Sequence, residues 1–425
     1  MNYSFLLRSL GCKVSQYDGG RISGYLIECG LRPAGEGESP DLFILNGCAV
    51  TGRASQKVRQ ALRAARRQWP AARIILAGCE ARLAGKRESE DGEETPVQVE
   101  GTLPYATRPA VRELLERLEM VRPDTRAVDA EAHLPEELIG SERTRAFLKI
   151  QDGCTQFCSY CIVPHLRGPE TSRERREIIE EARHLVSTGR REIVVTGIHV
   201  GRYGFGLVDL LRDLSSIDGL DRIRLSSIEP IEVDDDLVEW LATDPKACMH
   251  LHLPLQSGCD ATLRAMRRPY DTAAFAELVS RLRRRMPEIG ISTDLIVGFP
   301  GETEEQFAAT RAFVEQMAFS KIHIFRYSPR DGTPAAAMPG QLSNAVKHAR
   351  AKAIETIWKK TARAFHERFI GRTVEILWET QEEGLWRGFS REYVPCRTSG
   401  GADLHNTITP ATVTAASPDG CDVVC

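Results

Sequence analysis

Gly153-Cys154-Thr-Gln-Phe-Cys158-Ser-Tyr-Cys161 is the stretch on which the reading of this chain turns. Its three cysteines stand in the spacing C-x3-C-x2-C, directly after an apolar run, Ala146–Gln151, that reads as a strand. Thiolates ligate soft metals and iron–sulfur clusters. Three of them on one short loop can hold three irons of a cubane and leave the fourth iron open to another molecule. Zinc is the competing reading. A closed structural zinc site takes four ligands. No fourth Cys or His completes this spacing in the usual way, although His165 lies four residues on.

Outward from that loop, five more strand candidates follow: Glu192–Thr196, Arg222–Ser227, Met249–Leu255, Gly290–Val297 and Lys321–Tyr327. Amphipathic stretches such as Glu174–Thr188, Phe275–Met286 and Glu304–Met317 lie between them. Parallel strands need helical crossovers, so this alternation predicts a partial (β/α)6 barrel. A long helix is expected over Ser343–Phe369. Active sites of such barrels sit at the C-terminal ends of the strands, where the cysteine loop begins.

Upstream, Tyr3–Leu10, Asp41–Asn46 and Arg73–Gly78 read as buried parallel strands of an open α/β sheet. Arg53–Trp69 has helical spacing of Ala54, Val58, Ala61, Leu62 and Ala65, and its other face carries Lys57, Arg59, Arg63, Arg66 and Arg67 without an acid. The acidic segment 85–101 is expected to be a solvated loop, and 123–145 a linker. Downstream, Arg372–Trp378, Leu385–Arg391 and Thr407–Thr414 predict a small β-barrel. The expected α/β organisation is an N-terminal open-sheet domain over 1–122, a barrel core over 140–366 and a β-barrel over 367–425.

Composition agrees with a globular chain. Of 425 residues, 42% are hydrophobic and 27% charged, which argues against global disorder. No apolar run approaches the ~18–20 residues of a membrane helix. The start lacks a basic segment and a small-residue cleavage site, so no signal peptide is expected and a cytoplasmic location is. A net charge of −3 neither announces nor excludes a nucleic-acid partner, because local patches decide. Twelve cysteines in such a chain favour metal binding or catalysis over a disulfide scaffold.

Three of them, Cys12, Cys48 and Cys79, each follow an upstream strand and are each preceded by a glycine: Gly11, Gly47 and Gly78. In an open parallel sheet, ligands bind at the carboxyl ends of strands. These thiols would therefore converge on one edge. The alternative is three buried strand-end thiols, a common place for free cysteine.

Together these features resemble the radical S-adenosylmethionine (SAM) methylthiotransferases. The matching stretches are Leu10–Val14, Asn46–Thr51, Gly78-Cys79, Phe147–Cys154, Ile162–Gly168, Leu253–Gly258, Met266–Tyr270 and Asp294–Thr303, and they span nearly the whole chain. Gly47 stands where the family usually has Thr, and Glu80-Ala81-Arg82 where it has Tyr-Ala-Gln. The resemblance implies two 4Fe–4S clusters. Cys154, Cys158 and Cys161 would hold the cluster that cleaves SAM to a radical, with Tyr160 as the loop's aromatic residue. Cys12, Cys48 and Cys79 would hold the auxiliary cluster. Thr196, Gly197, Gln256, Ser257 and Gly298, at the ends of later strands, would contact SAM. The C-terminal barrel would be an RNA-binding TRAM domain, with Arg387–Tyr393 as its typical segment.

Family subgroups act on N6-threonylcarbamoyladenosine in tRNA, on isopentenyladenosine in tRNA, or on a ribosomal protein. The forms Gly-Cys-Lys-Val, Leu-Lys-Ile-Gln-Asp-Gly-Cys and Met-Arg-Arg-Pro-Tyr look most like the first. The expected reaction adds a methylthio group to C2 of that base beside the anticodon; the isopentenyladenosine reaction is the alternative. An aromatic C–H offers no useful proton to an ordinary base at neutral pH, so cofactor-borne radical chemistry fits the task. The expected partners are a tRNA anticodon loop, a flavodoxin- or ferredoxin-like electron donor and a sulfur source. Candidate phosphate-binding patches are Arg53–Arg67; Arg264, Arg267 and Arg268; and Lys359, Lys360, Arg363, Arg368 and Arg372. Trp386, Phe389 and Tyr393 could stack on bases or form barrel core.

Overall fold

The computed structural model describes residues 3–91, 99–121, 144–400 and 402–425. The first unit runs β1 (Ser4–Leu10), α1 (Lys13–Glu28), β2 (Arg32–Pro33), β3 (Leu42–Gly47), α2 (Gly52–Gln68), β4 (Arg73–Ala77), α3 (Gly78–Asp91), β5 (Gly101–Leu103) and α4 (Arg108–Arg117). Its five strands form one wholly parallel sheet in the order β2-β1-β3-β4-β5. Ile22, Leu26, Val111 and Leu115 of α1 and α4 cover one face. Val58, Leu62 and Ala65 of α2 cover the other. The expected loop at 85–101 differs at its start, because α3 continues the backbone helix to Asp91. Most of the expected linker lies outside the described residues.

The core unit runs β6 (Arg145–Asp152), α5 (Val163–Arg167), β7 (Thr171–Ser172), α6 (Arg175–Ser187), β8 (Glu192–Gly197), α7 (Leu207–Ser215), β9 (Arg222–Leu225), α8 (Asp235–Thr243), β10 (His250–His252), α9 (Asp260–Ala265), α10 (Thr272–Arg285), β11 (Gly290–Val297), α11 (Glu304–Met317), β12 (Lys321–Arg326) and α12 (Asn344–Glu367). All six expected strands are present, in the order β6-β8-β9 and β10-β11-β12. Single parallel bridges at Ile223–Ala247 and Ser227–His252 join the two halves into a partial barrel. β10 is shorter than the expected 249–255; Pro254 has no N–H to extend a ladder, and its carbonyl accepts instead from the Tyr270 hydroxyl at 2.5 Å. Outward residues Leu148, Ile193, Ile223, Leu251 and Leu295 pack under the helices as one apolar layer.

The last unit is a closed five-stranded barrel of β13 (Thr373–Glu382), β14 (Leu385–Ser390), β15 (Pro395–Ser399), β16 (Ile408–Ser417) and β17 (Gly420–Val424), ordered β13-β14-β15-β17-β16. It seats on the N-terminal ends of the core strands. Arg222 donates to the carbonyls of Glu375 and Phe389 at 2.8 and 3.1 Å. Arg224 donates to Ser390 O at 3.2 Å and is held by the fully buried Glu192 at 2.7 Å. Gly290 opens β11 with Glu392 O only 2.1 Å from where a Cβ would stand, so no side chain fits there. Among the described residues no helix is long and apolar enough to cross a membrane.

Candidate iron–sulfur and nucleobase site

The N-terminal trio assembles because the sheet is parallel and in register. Leu10 pairs with Gly47, Asn46 with Ala77, and Gly47 bridges Gly78. Neighbouring strands lie about 4.8 Å apart, so the residues after them stand side by side at the sheet's carboxyl edge. Cys12, Cys48 and Cys79 are brought together there. Burial, with the neighbouring Cys12 and Cys79 thiolates, pushes the Cys48 thiol up to about 11. Gly78 takes φ +76° and packs against Asn46, a conformation that suits glycine. At Gly47 a Cβ would stand 2.9 Å from Val58 and 3.1 Å from Glu80 Cβ. Glu80 is itself buried and accepts from Ser55 Oγ at 2.7 Å. The two departures from the family pattern, at 47 and 80, thus occupy adjoining space.

The second trio sits on the loop after β6. Gly153, at φ +78°, lies under the carbonyl of Pro169, 1.9 Å from where a Cβ would stand. Cys154 N donates to Gly168 O at 3.0 Å, and Cys161 N to Cys158 O at 3.0 Å. Burial, with the charges of Cys158 and Cys154, pushes the Cys161 thiol up to about 12. Thiols so placed keep their protons unless a metal displaces them. Among the described residues all six cysteines are free, and each trio supplies three soft donors with no fourth sulfur, which fits a cubane with one open iron.

Cationic donors reach three of the six sulfurs. Arg268 donates to Cys158 Sγ at 3.1 Å and is ion-paired with Glu229. Arg167 donates to Cys79 Sγ at 3.3 Å and binds Asp152 at 2.8 Å and Asp18 at 3.2 Å. His199 Nδ1 lies 3.6 Å from Cys154 Sγ and its Nε2 lies 2.9 Å from Glu232. Burial opposes charge on His199, yet its bonds to Cys154 and Glu232 prevail and raise it to about 10. Arg268 is therefore not a surface phosphate ligand, as its grouping with Arg264 and Arg267 suggested. No local spacing marks Arg167 or Arg268 as sulfur partners, although both fall inside the motif stretches Ile162–Gly168 and Met266–Tyr270.

One opening lies between the second trio and the segment that follows Cys48. This cleft is lined by Val50 and Thr51 after Cys48, by Tyr160 and Cys161, by Asp294 of β11, by Arg326 at the end of β12 and by Gln256 after β10. Ala49, Cys79 and Leu83 pack against Ile162 and Leu166 beside it. Of the expected SAM contacts, Tyr160 and Gln256 face the cleft, Gln256 at φ +65°. Thr196 is buried at the end of β8, and Gly197 abuts the Gln151 side chain. Ser257 Oγ points instead to Thr310, 3.4 Å away, and accepts from Cys259 N. Gly298, at φ +72°, donates to Glu302 at 2.7 Å and packs against Lys347.

The aromatic residues of the tail do not reach this cleft. Trp386 is barrel core. Phe389 stacks on Tyr393 at 4.8 Å, Arg145 lies over both rings, and Tyr393 meets His250 at 4.6 Å. They form the joint between barrel and core.

Comparison with known proteins matches these units. A family described as the Radical SAM superfamily matches residues 148–314, and one described as Uncharacterized protein family UPF0004 matches residues 4–98. Threonylcarbamoyladenosine tRNA methylthiotransferase MtaB of Bacillus subtilis (strain 168) is 34% identical, covering 96% of this chain and 93% of that protein. The tRNA-2-methylthio-N(6)-dimethylallyladenosine synthase of Syntrophotalea carbinolica is 34% identical, covering 97% of each. Its namesake from Corynebacterium efficiens is 36% identical over 88% of this chain and 74% of its own. Among solved structures, the radical S-adenosylmethionine methyltransferase TsrM from Kitasatospora setae is similar in fold, with a TM-score of 0.56 at 15% identity over 79% of this chain and 77% of that one.

Proposed function

We propose, for a chain that belongs to the radical SAM tRNA methylthiotransferases, that its substrate is N6-threonylcarbamoyladenosine beside the anticodon and that C2 of the base receives the methylthio group. The family's cofactors are SAM and two 4Fe–4S clusters. In this reading Cys154, Cys158 and Cys161 hold the cluster that binds SAM, and Cys12, Cys48 and Cys79 hold the auxiliary one. When bound, these groups supply a 5′-deoxyadenosyl radical and the methylthio sulfur. The chain's own residues position and shield. Arg268, His199 and Arg167 direct N–H groups at ligand sulfurs, which stabilises charge on the clusters and tunes their potentials. Tyr160 and Gln256 border the space where the base and SAM meet.

One observation carries the choice of nucleoside. Arg326 lines the cleft, and among the described residues no carboxylate is paired with it. The threonyl substituent bears a carboxylate that a guanidinium can take, worth about 1.5–3 kcal/mol for a charged hydrogen bond. A dimethylallyl substituent offers nothing to such a group. The sequence forms around Cys12, Cys154 and Met266 support the same subgroup. A flavodoxin- or ferredoxin-like electron donor and a separate sulfur source belong to the same reading. Mass spectrometry of tRNA nucleosides from a strain lacking this protein tests it. Loss of the methylthio form of threonylcarbamoyladenosine is expected; loss of the isopentenyladenosine form instead would refute it.

A further inference from the structure

The cleft lies at the carboxyl ends of the core strands, whereas Phe389 and Tyr393 are used at the opposite ends. A nucleotide seated in the cleft therefore needs its backbone held by something else close by. Of the three basic patches, the one on α12 and just after it is largely spent on other contacts. Lys359, Lys360 and Arg363 of α12 pair with Glu355, Glu315 and Glu367, Arg372 with Glu288, and Arg368 donates to Pro287 O. Arg268 is buried against Cys158 and Glu229, which leaves its patch only two exposed cations, Arg264 and Arg267.

Helix α2 is different. It carries six basic residues and no acidic one: Arg53, Lys57, Arg59, Arg63, Arg66 and Arg67. Arg66 pairs with Glu100. Arg53, Lys57, Arg63 and Arg67 are exposed, and no ion pair holds them among the described residues. At 100° per residue they fall within about a third of the helix circumference, opposite Val58 and Leu62, along roughly 21 Å of axis. The helix is also fixed to the cleft. Its N-cap Thr51 lines the opening, and Gly52 N donates to Ser328 Oγ, on the same opening, at 3.2 Å. Arg330 reaches back to Ser55 Oγ at 3.1 Å.

We infer that this face of α2 is the phosphate track for the tRNA anticodon stem-loop, guiding the strand that delivers its base to the cleft. The inference rests on the tRNA reading above. A chain of net charge −3 has no general affinity for polyanions, so a local row of unpaired cations beside the site is what backbone binding needs.

The test is salt-dependent binding of a tRNA anticodon stem-loop to the cluster-loaded full chain. Combined Arg53→Gln, Lys57→Gln, Arg63→Gln and Arg67→Gln is expected to weaken binding at least about tenfold at low salt. It should make the log–log salt slope shallower by up to about 3, at ~0.7–0.9 for each of the four phosphates no longer neutralised. Lysines in place of the three arginines should restore most of both, and Lys359→Gln with Lys360→Gln and Arg363→Gln should change neither. An unchanged slope in the α2 variant, or an equal loss in the α12 variant, overturns the inference. So does unchanged tRNA binding with loss of cluster reduction by an acidic electron donor, which would make the face a protein dock. Wild-type chain that binds no tRNA would instead count against the tRNA reading itself.

Discussion

Arg167 of α5 donates its Nε–H to Cys79 Sγ over 3.3 Å, across the boundary between the barrel core and the N-terminal sheet. The same guanidinium holds Asp152 of the core and Asp18 of α1, and its side chain is only 2% exposed. One residue therefore ties the two units and sets the charge next to the auxiliary trio.

Arg167→Met removes an N–H from Cys79 Sγ, a ligand sulfur in the proposed reading, and leaves Asp18 and Asp152 to Lys149 alone, which pairs with both at 2.5 and 3.2 Å. The auxiliary cluster's midpoint potential is expected to move to more negative values, because a donor that stabilises the reduced state is gone. The chain should also lose roughly 1.5–3 kcal/mol, the worth of a charged hydrogen bond, because Lys149 still compensates both carboxylates. An EPR-monitored redox titration in a Cys154, Cys158 and Cys161→Ala background reads the first effect alone. An unshifted potential with iron retained would show that the sulfur contact is idle.

Removing either cysteine trio should halve the bound iron and sulfide. The two variants should then part ways. Without Cys12, Cys48 and Cys79, the anaerobically reduced protein should still form 5′-deoxyadenosine but yield no methylthiolated nucleoside. Without Cys154, Cys158 and Cys161 it should do neither. Iron analysis with chromatography of the SAM products decides, and retention of full iron in either variant would contradict the assignment.

Gly153→Ala should be unusually costly for so small a change. Its φ is +78° and the Pro169 carbonyl occupies the added methyl's place. Left-handed strain of about 1 kcal/mol adds to a displaced backbone. Loss of the core cluster at ordinary expression temperature is the expected outcome, read as iron content and the cluster's visible absorption.

Glu192 lies under Arg224 at the joint with the C-terminal barrel, and its carboxyl is held below the usual range: burial opposes this, but Arg224, Arg145 and Arg222 prevail. A carboxylate with a lowered folded pKa adds stability that is complete above its unfolded value, about 4.3. That stability is lost as pH falls through the folded value. Glu192→Gln should thus cost roughly 3–5 kcal/mol near pH 7, with the gap to wild type narrowing below about pH 4.3. Urea unfolding followed by the fluorescence of buried Trp378 measures it.

Arg326→Gln should raise KM for threonylcarbamoyl-bearing tRNA by roughly 10–150-fold, the equivalent of one charged hydrogen bond, with little change in kcat. A stem-loop whose threonyl carboxylate is methyl-esterified should be indifferent to the substitution. Equal loss on both would make Arg326 a phosphate contact.

Much of this was legible in the amino-acid order. The C-x3-C-x2-C loop, the six core strands and the strand-end positions of Cys12, Cys48 and Cys79 all follow from short-range spacing and period. What escaped depends on residues far apart in sequence. β15 and β17 have little apolar alternation of their own; they exist because Cys396 pairs with Cys421 to close a barrel. Arg268 reads as one of three neighbouring arginines until Cys158 and Glu229 fold beside it. Phe389 and Tyr393 read as base-stacking rings or barrel core until Arg145 and His250 place them at the joint. At Ser257 the hydroxyl belongs to Thr310, a partner 53 residues on.

The seat of the last barrel against Gly290, Arg222 and Arg224 has a kinetic corollary. With the lower end covered by the last barrel, the cleft at the other end is the opening that the described residues offer to a ligand. Spent methionine and nucleoside from one round must leave past the same threshold that fresh SAM and the tRNA loop cross. Turnover is then a matter of traffic, in which the nucleic acid has to step back for the small molecules to change places.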